Sequence, residues 1–301
     1  MSPPNISGKD LVQLFPFVEA VGNPFIGGQK IVFPCKIDGI DYVVKVLQSE
    51  NFPEEEENSF EQDSVDDVFE RARREVDILR CSQTRSLPKL GPIDLQRISI
   101  NNQSLVVFSE EFIDGQELHD LLKTSFNFTN GEIIKAGIGI ASAIDDLWKI
   151  RCIHRDIKPK NIKRRRSGEY VLLDPGIAFD LEDVSLTATG FVPHTPGYIA
   201  PECIIPDSKR DTDCRSDLFL LGIVLYECAT KHHPFIQKEN MRRGDIISSI
   251  LRDEPLPITS INPDISGEIE NIIMRLLSKR KHSRFKNPDL LMRALAACEK
   301  E

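Results

Sequence analysis

Between Cys152 and Asn161 the chain reads Cys-Ile-His-Arg-Asp-Ile-Lys-Pro-Lys-Asn, which brings Asp156, Lys158 and Asn161 into one short segment. Each residue type has a distinct capability: a carboxylate accepts a proton, an ammonium offsets negative charge, and an amide oxygen ligates a hard cation without adding charge. Downstream, the apolar run Tyr170-Val171-Leu172-Leu173 ends at Asp174-Pro175-Gly176 and supplies a second carboxylate at the end of a strand. Upstream, Ile40 to Leu47 is alternating and β-branched, as a strand should be, and carries Lys45. Ser64 to Leu79 opens on a residue able to cap a helix, with acids in its first turn. It then spaces Val65, Val68, Phe69, Ala72, Val76 and Leu79 at helical intervals. Glu75 falls on the inner side of that stripe, a better partner for Lys45 than Glu70.

In this order the motifs resemble the eukaryotic-type (Hanks-type) Ser/Thr protein kinases, from roughly Phe17 to Leu295. The resemblance implies that Asp156 accepts the proton of a substrate hydroxyl and Lys158 neutralises the moving phosphoryl group. Asn161 and Asp174 would hold magnesium, with manganese as an alternative. Lys45, anchored by Glu75, would contact the α and β phosphates of ATP, and Gly22, Gly27, Gly28, Val43, Glu111 and Ile113 would complete the nucleotide-binding set. His154, Arg155, Glu202, Asp217 and Arg284 are implied scaffold residues, with Glu202 and Arg284 as a buried ion pair and Asp217 bonding the catalytic-loop backbone. Thr195 would lie against Asp156 and Lys158 and align a Ser or Thr acceptor. Arg155 would gain a counter-anion when Ser185, Thr187 or Thr189 is phosphorylated, with Thr187 or Thr189 favoured and autophosphorylation as the source.

The implied fold is α+β and two-lobed: a small antiparallel β lobe with one main helix over residues 17–112, and a larger, mainly helical lobe over 113–301. Residues 1–16 are expected as a tail or a short strand along the small lobe. Three features depart from the family pattern. Pro24 occupies the middle of the glycine-rich stretch, where it removes an N–H that could meet a phosphate. Pro175 replaces an aromatic and should restrict Leu173-Asp174 toward extended geometry. The alignment of Glu111-Phe112-Ile113-Asp114-Gly115 as the hinge puts Glu110 at the gatekeeper position, and Lys163 falls at the floor beneath adenine. Those two charges either pair, or Lys163 lays its methylenes on the base and sends its ammonium outward.

Composition sets further bounds. The 301 residues carry a net charge of −9, which disfavours broad nucleic-acid binding. Acids concentrate at Glu54-Glu55-Glu56-Glu57, Glu61, Asp63, Asp66 and Asp67, read as a solvated loop or a docking surface for a basic partner. Lys163-Arg164-Arg165-Arg166 reads as a hairpin tip in water that could also steer an acidic substrate. Seven cysteines without a C-x-x-C pair suit a reducing cytosol, and no apolar stretch reaches a membrane span, so a cytoplasmic protein is expected. The implied partners are ATP, a protein substrate with a Ser or Thr acceptor, and a second copy in a transient homodimer for autophosphorylation. Two rival functions share part of the site: a nucleotide-binding scaffold and a small-molecule kinase. The intact set Lys45, Glu75, Asp156, Asn161 and Asp174 weighs against the first, and Thr195 to Glu202, Asp217 and Arg284 against the second.

Overall fold

Ser7 starts the first helix, α1 (Gly8–Leu14), through a capping box in which its hydroxyl takes the Asp10 N–H while the Asp10 carboxylate takes the Ser7 N–H. The computed structural model describes residues 3–27, 30–49, 67–175, 179–180, 197–204, 212–238 and 240–300. The chain divides into two units, one formed by Met1–Ser82 and Pro88–Ile113, the other by Gln83–Leu87 and Asp114–Glu301. The expected tail over residues 1–16 is therefore corrected, since it contains a docked helix. Ile6, just before the cap, and Leu11, at the fourth helical position, are buried in the same cluster with Phe15, an apolar staple that fixes how the chain enters α1.

The first unit is built on an antiparallel six-stranded sheet. Its strands are β1 (Val18–Val21), β2 (Phe25–Ile26), β3 (Lys30–Ile37), β4 (Ile40–Gln48), β5 (Gln96–Ile100) and β6 (Gln103–Glu111), in the order β1-β3-β4-β6-β5 with β2 beside β3. Tight turns at Asp38-Gly39 and Asn101-Asn102 join β3 to β4 and β5 to β6, and all four residues hold positive φ, as two-residue hairpins of the twisted sheet demand. Strand alternation sorts the side chains into two layers. Phe33, Val44, Val46, Leu105 and Val107 join the α1 cluster, while Val106 and Phe108 meet Val68, Ala72, Val76 and Leu79 of α2 (Asp67–Cys81). The α2 stripe follows the sequence spacing from Val68 onward; Ser64 and Val65 lie outside the described residues.

The second unit is mainly helical. It contains α3 (Leu118–Lys123), α4 (Asn130–Lys149), α5 (Pro201–Ile204), α6 (Cys214–Thr230), α7 (Arg243–Arg252), α8 (Ile258–Ile261), α9 (Gly267–Leu276) and α10 (Pro288–Ala297). Short strands accompany them: β7 (Gly115–Glu117), β8 (Cys152–Ile153), β9 (Ile162–Arg165), β10 (Tyr170–Leu172) and β11 (Phe179–Asp180), paired as β10-β9-β7 and β11-β8. Nearly every side chain of α6 is buried, so this helix is apolar all round and packs against α4 and α9. A Cβ at Gly115 would overlap the Arg164 carbonyl oxygen, which explains glycine where β7 meets β9.

The basic run is not a solvated tip. Lys163, Arg164 and Arg165 lie on β9, and Arg164 makes a two-pronged pair with Glu132 of α4 at 2.8 and 3.0 Å, joined by the Tyr170 hydroxyl at 2.9 Å. The turn proper falls at Arg166-Ser167-Gly168, where Gly168 takes φ +95°. The acidic run at residues 54–57 lies outside the described residues. The α+β class, with a β-rich unit and a helical unit, agrees with the expectation. Among the described residues, no helix is long and apolar enough to cross a membrane.

If α1 is part of the first unit's core, Leu11→Ala removes a fully buried side chain and should cost about 2–5 kcal/mol. Urea denaturation checks this, and a change under about 0.5 kcal/mol would show that the helix does not carry the packing assigned to it.

Candidate active site

In the first unit, β4 carries Lys45 and α2 carries Glu75, and the Lys45 ammonium donates to Glu75 Oε1 at 2.5 Å, both groups being buried. Glu70, the competing acid, pairs with Arg73 on the exposed side of the helix. Glu110, left open by the sequence between two geometries, takes Lys45 as a partner at 2.9 Å. Lys163 lies on β9 of the other unit, in register with Glu117 and Val171. Val43 is directly opposite Glu110 across the β4–β6 ladder. Glu111 accepts the Lys89 N–H and donates its own N–H to the Lys89 carbonyl, and Ile113 is buried at the end of the unit.

Gly22 and Gly27 flank the hairpin strand β2, each donating its N–H to β3, to Pro34 O at 2.7 Å and Lys30 O at 2.9 Å. A Cβ at either position would meet only ordinary contacts, with a nearest atom at 3.5 Å. The packing of the protein itself thus gives no reason for glycine there. Gly28 lies outside the described residues.

In the second unit the polar groups converge on Asp156. Its carboxylate receives the Lys158 ammonium at 2.9 and 2.7 Å and the Asn161 side-chain N–H at 2.8 Å; the same amide nitrogen donates to the Asp156 carbonyl at 2.9 Å. With its nitrogen committed in this way, Asn161 has its amide oxygen left as the ligand atom. Pro159–Asn161 forms a 3₁₀ turn, and Leu173 N–H returns to the Asn161 carbonyl at 2.7 Å, tying the segment before Asp174 to the loop. Asp174 takes φ +56°, so the extended geometry expected before Pro175 is corrected; Asp enters this left-handed region more readily than most residues. Among the described residues no group of three or more His, Cys, Asp and Glu is arranged for a metal. Asn161 and Asp174 carry instead one amide oxygen and one carboxylate, hard-oxygen donors of the kind a divalent cation such as magnesium takes.

Asp217, in the first turn of α6 and wholly buried, accepts the His154 N–H at 2.7 Å and the Arg155 N–H at 2.8 Å. Burial pushes its carboxyl above the ordinary range, opposed by the charges of His154 and Arg155 and by those two N–H donors. His154 Nε2 in turn meets the Leu173 carbonyl at 3.1 Å. Burial lowers the pKa of the Arg155 guanidinium, opposed by Cys203 and the Asp217 carboxylate nearby.

Glu202 and Arg284 form the expected buried pair, a two-pronged contact at 2.7 and 2.9 Å. Sequence reasoning missed the rest of that cluster: Ser216 donates to Glu202 at 2.7 Å, while Arg284 also donates to the Arg215 and Ser278 carbonyls and stacks over Phe219. It also missed Tyr198, whose hydroxyl reaches Glu227 at 2.9 and 2.8 Å; burial pushes that acid up to about 7. No local motif announces either contact. Ser185, Thr187, Thr189 and Thr195 lie outside the described residues.

Comparison with known proteins agrees with this geometry. Residues 26–295 match the family described as protein kinase domain. Serine/threonine-protein kinase pkn3 of Myxococcus xanthus is 34% identical over 201 residues, 64% of this chain and 36% of that protein. Serine/threonine-protein kinase PknB of Mycobacterium leprae is 31% identical over 180 residues, 58% of this chain and 27% of that protein. The matches thus span roughly a third of the length of these curated relatives. The chain belongs to the protein kinase domain family.

Burial alone would raise the Glu202 pKa, but the Arg284 guanidinium and the Ser216 hydroxyl hold it below the ordinary 4.5. Its stabilising contribution is therefore fully present above that value and drains away as pH falls through the lower folded value. Glu202→Gln should flatten the acid limb of a stability profile taken from neutral pH to about 3 by thermal unfolding; an acid limb identical to wild type contradicts this.

Proposed function

We propose that the chain is an ATP-dependent Ser/Thr protein kinase. The observation that carries this reading is the convergence of Lys158 and Asn161 on the Asp156 carboxylate, on a loop bonded to buried Asp217. The glycines that nothing in the protein's packing requires, Gly22 and Gly27, support phosphate approach to the backbone. Family membership and the names of the relatives support the reaction class.

In this reading a Ser or Thr oxygen of a protein substrate forms a bond to the γ-phosphorus as the bond to the β–γ bridging oxygen breaks. ADP leaves and the hydroxyl proton passes to Asp156. Lys158 offsets charge on the moving phosphoryl group, and Lys45, held by Glu75, offsets charge on the α and β phosphates. Asn161 and Asp174 would hold magnesium, or manganese, which supplies positive charge to the phosphate oxygens. Val43, Glu111 and Ile113 line the nucleotide base by analogy with the family. Lys45→Met would remove a charge that both carboxylates on it need, so loss of activity in that variant mixes catalysis with stability; the acids of the second unit make cleaner probes.

The regulatory part of this reading centres on Arg155, whose guanidinium is largely buried with Asp217 acting on it. Phosphate on Thr187 or Thr189, placed by autophosphorylation in a transient homodimer, would add negative charge beside that guanidinium. A reducing cytoplasmic setting fits the seven free thiols.

Incubation with γ-labelled Mg-ATP and a generic basic protein substrate tests the activity. Asp156→Asn and Asp174→Asn should each lower transfer by about a hundredfold or more. Transfer unaffected by both would contradict the assignment, while a nucleotide-dependent rise in melting temperature with no transfer would favour a scaffold. Mass spectrometry of the active protein should find phosphate on Thr187 or Thr189; an active protein without phosphate there would make the regulatory reading wrong.

A further inference from the structure

Lys45 pairs with carboxylates from two different elements. Glu75 comes from α2, whereas Glu110 comes from β6 of the sheet that carries Lys45 itself. Lys45, Glu75 and Glu110 are 3%, 6% and 4% exposed, so this is a desolvated cluster and not a surface ion pair.

Strand register explains the second contact. Lys45 is opposite Phe108 and Val43 is opposite Glu110 on the antiparallel β4–β6 ladder. Residues two apart share a face, so Lys45 and Glu110 are diagonal neighbours on the face that also bears Phe108. The Phe108 ring lies 5.7 Å from the ammonium and helps exclude water. Register fixes which side chains are neighbours here, since a slip of one residue would turn every side chain to the other face. The contact with Glu75 depends instead on how the helix rests on the sheet.

We propose that Glu110 is a positioning residue for Lys45: a sheet-borne second counter-ion that keeps the ammonium in place when the helix-borne Glu75 is lost. The part of this inference that concerns nucleotide rests on the kinase reading above. Each of the two carboxylates can by itself offset the Lys45 charge. Removing one acid therefore still leaves Lys45 a full counter-ion, while removing both leaves a buried ammonium without this compensation.

Two measurements separate this inference from the activity. The first is the rate of Lys45 carbamylation by cyanate at pH about 8, followed by mass spectrometry on protein without nucleotide. Each single variant leaves Lys45 one of these counter-ions, so Glu75→Gln and Glu110→Gln should each stay within about threefold of wild type, while the double variant frees the neutral amine and should raise the rate by about tenfold or more. A double variant that reacts no faster than Glu75→Gln alone would overturn the proposal. Glu75→Gln with Glu110→Asp, which weakens the second counter-ion without removing it, should react faster than Glu75→Gln alone, which covers the case in which the double glutamine variant fails to fold.

The second measurement is KM for Mg-ATP across the cycle of Glu75→Gln, Glu110→Gln and the double variant. Redundant anchoring predicts that the double variant exceeds the product of the single effects by about fivefold or more. Effects that simply multiply, or a lowered KM in Glu110→Gln, would overturn it. If wild type transfers no phosphate, the proposed activity fails, and the cyanate result still decides the role of Glu110.

Discussion

The site in the second unit depends on one buried carboxylate. Asp217 sits in the first turn of an almost wholly apolar helix, a position that would be costly for a lone acid. It is tolerated because two backbone N–H groups, from His154 and Arg155, point at its two oxygens. Those bonds help hold Arg155 at φ +66°, a strained value for a long side chain. That positive φ falls one residue before Asp156 and two residues after strand β8 ends. From there the bonds run on without a gap: His154 to the Leu173 carbonyl, Leu173 N–H to the Asn161 carbonyl, and Asn161 to Asp156. Asp156, Asn161 and the residue preceding Asp174 are thereby fixed to the same helix.

Glu202 and Arg284 serve the same region by different physics. Arg284 is 2% exposed and its guanidinium is spent on one carboxylate, carbonyls and an aromatic face. Ser216, one residue before Asp217, donates to the same carboxylate, so the ion pair and the catalytic-loop anchor meet at the start of α6. A buried pair of this kind is weak as a source of net stability and strong as a specifier of geometry, because breaking it leaves a charge without compensation.

Much of this was legible in the sequence because the chemistry sits in short segments. The 152–161 run placed Asp156, Lys158 and Asn161, and helical spacing placed Glu75 on the inner face of α2 opposite Lys45. What escaped depends on distance in the chain. Nothing in the run Ser109-Glu110-Glu111 says which acid faces the sheet interior beside Lys45, since that follows from a ladder register set by turns far away. The first helix escaped because Pro3, Pro4 and Gly8 suggest a tail, whereas Ser7-Asp10 capping with the Ile6–Leu11 staple outweighs the unfavourable glycine at its first position. Arg164 was misread as solvated because strand alternation, not charge, decides that it turns toward Glu132. Asp174 adopts a left-handed φ against the local preference imposed by Pro175, so the dipeptide rule does not hold here.

The claim that Asp217 organises the catalytic loop is tested most directly by amide hydrogen exchange at His154 and Arg155 in wild type and in Asp217→Asn. Asparagine offers one acceptor to two donors, so at least one of these amides should exchange about a hundredfold faster while amides elsewhere in α6 keep their protection. Equal protection of both amides in the two proteins would contradict the account, because the loop would then be held by something other than this carboxylate.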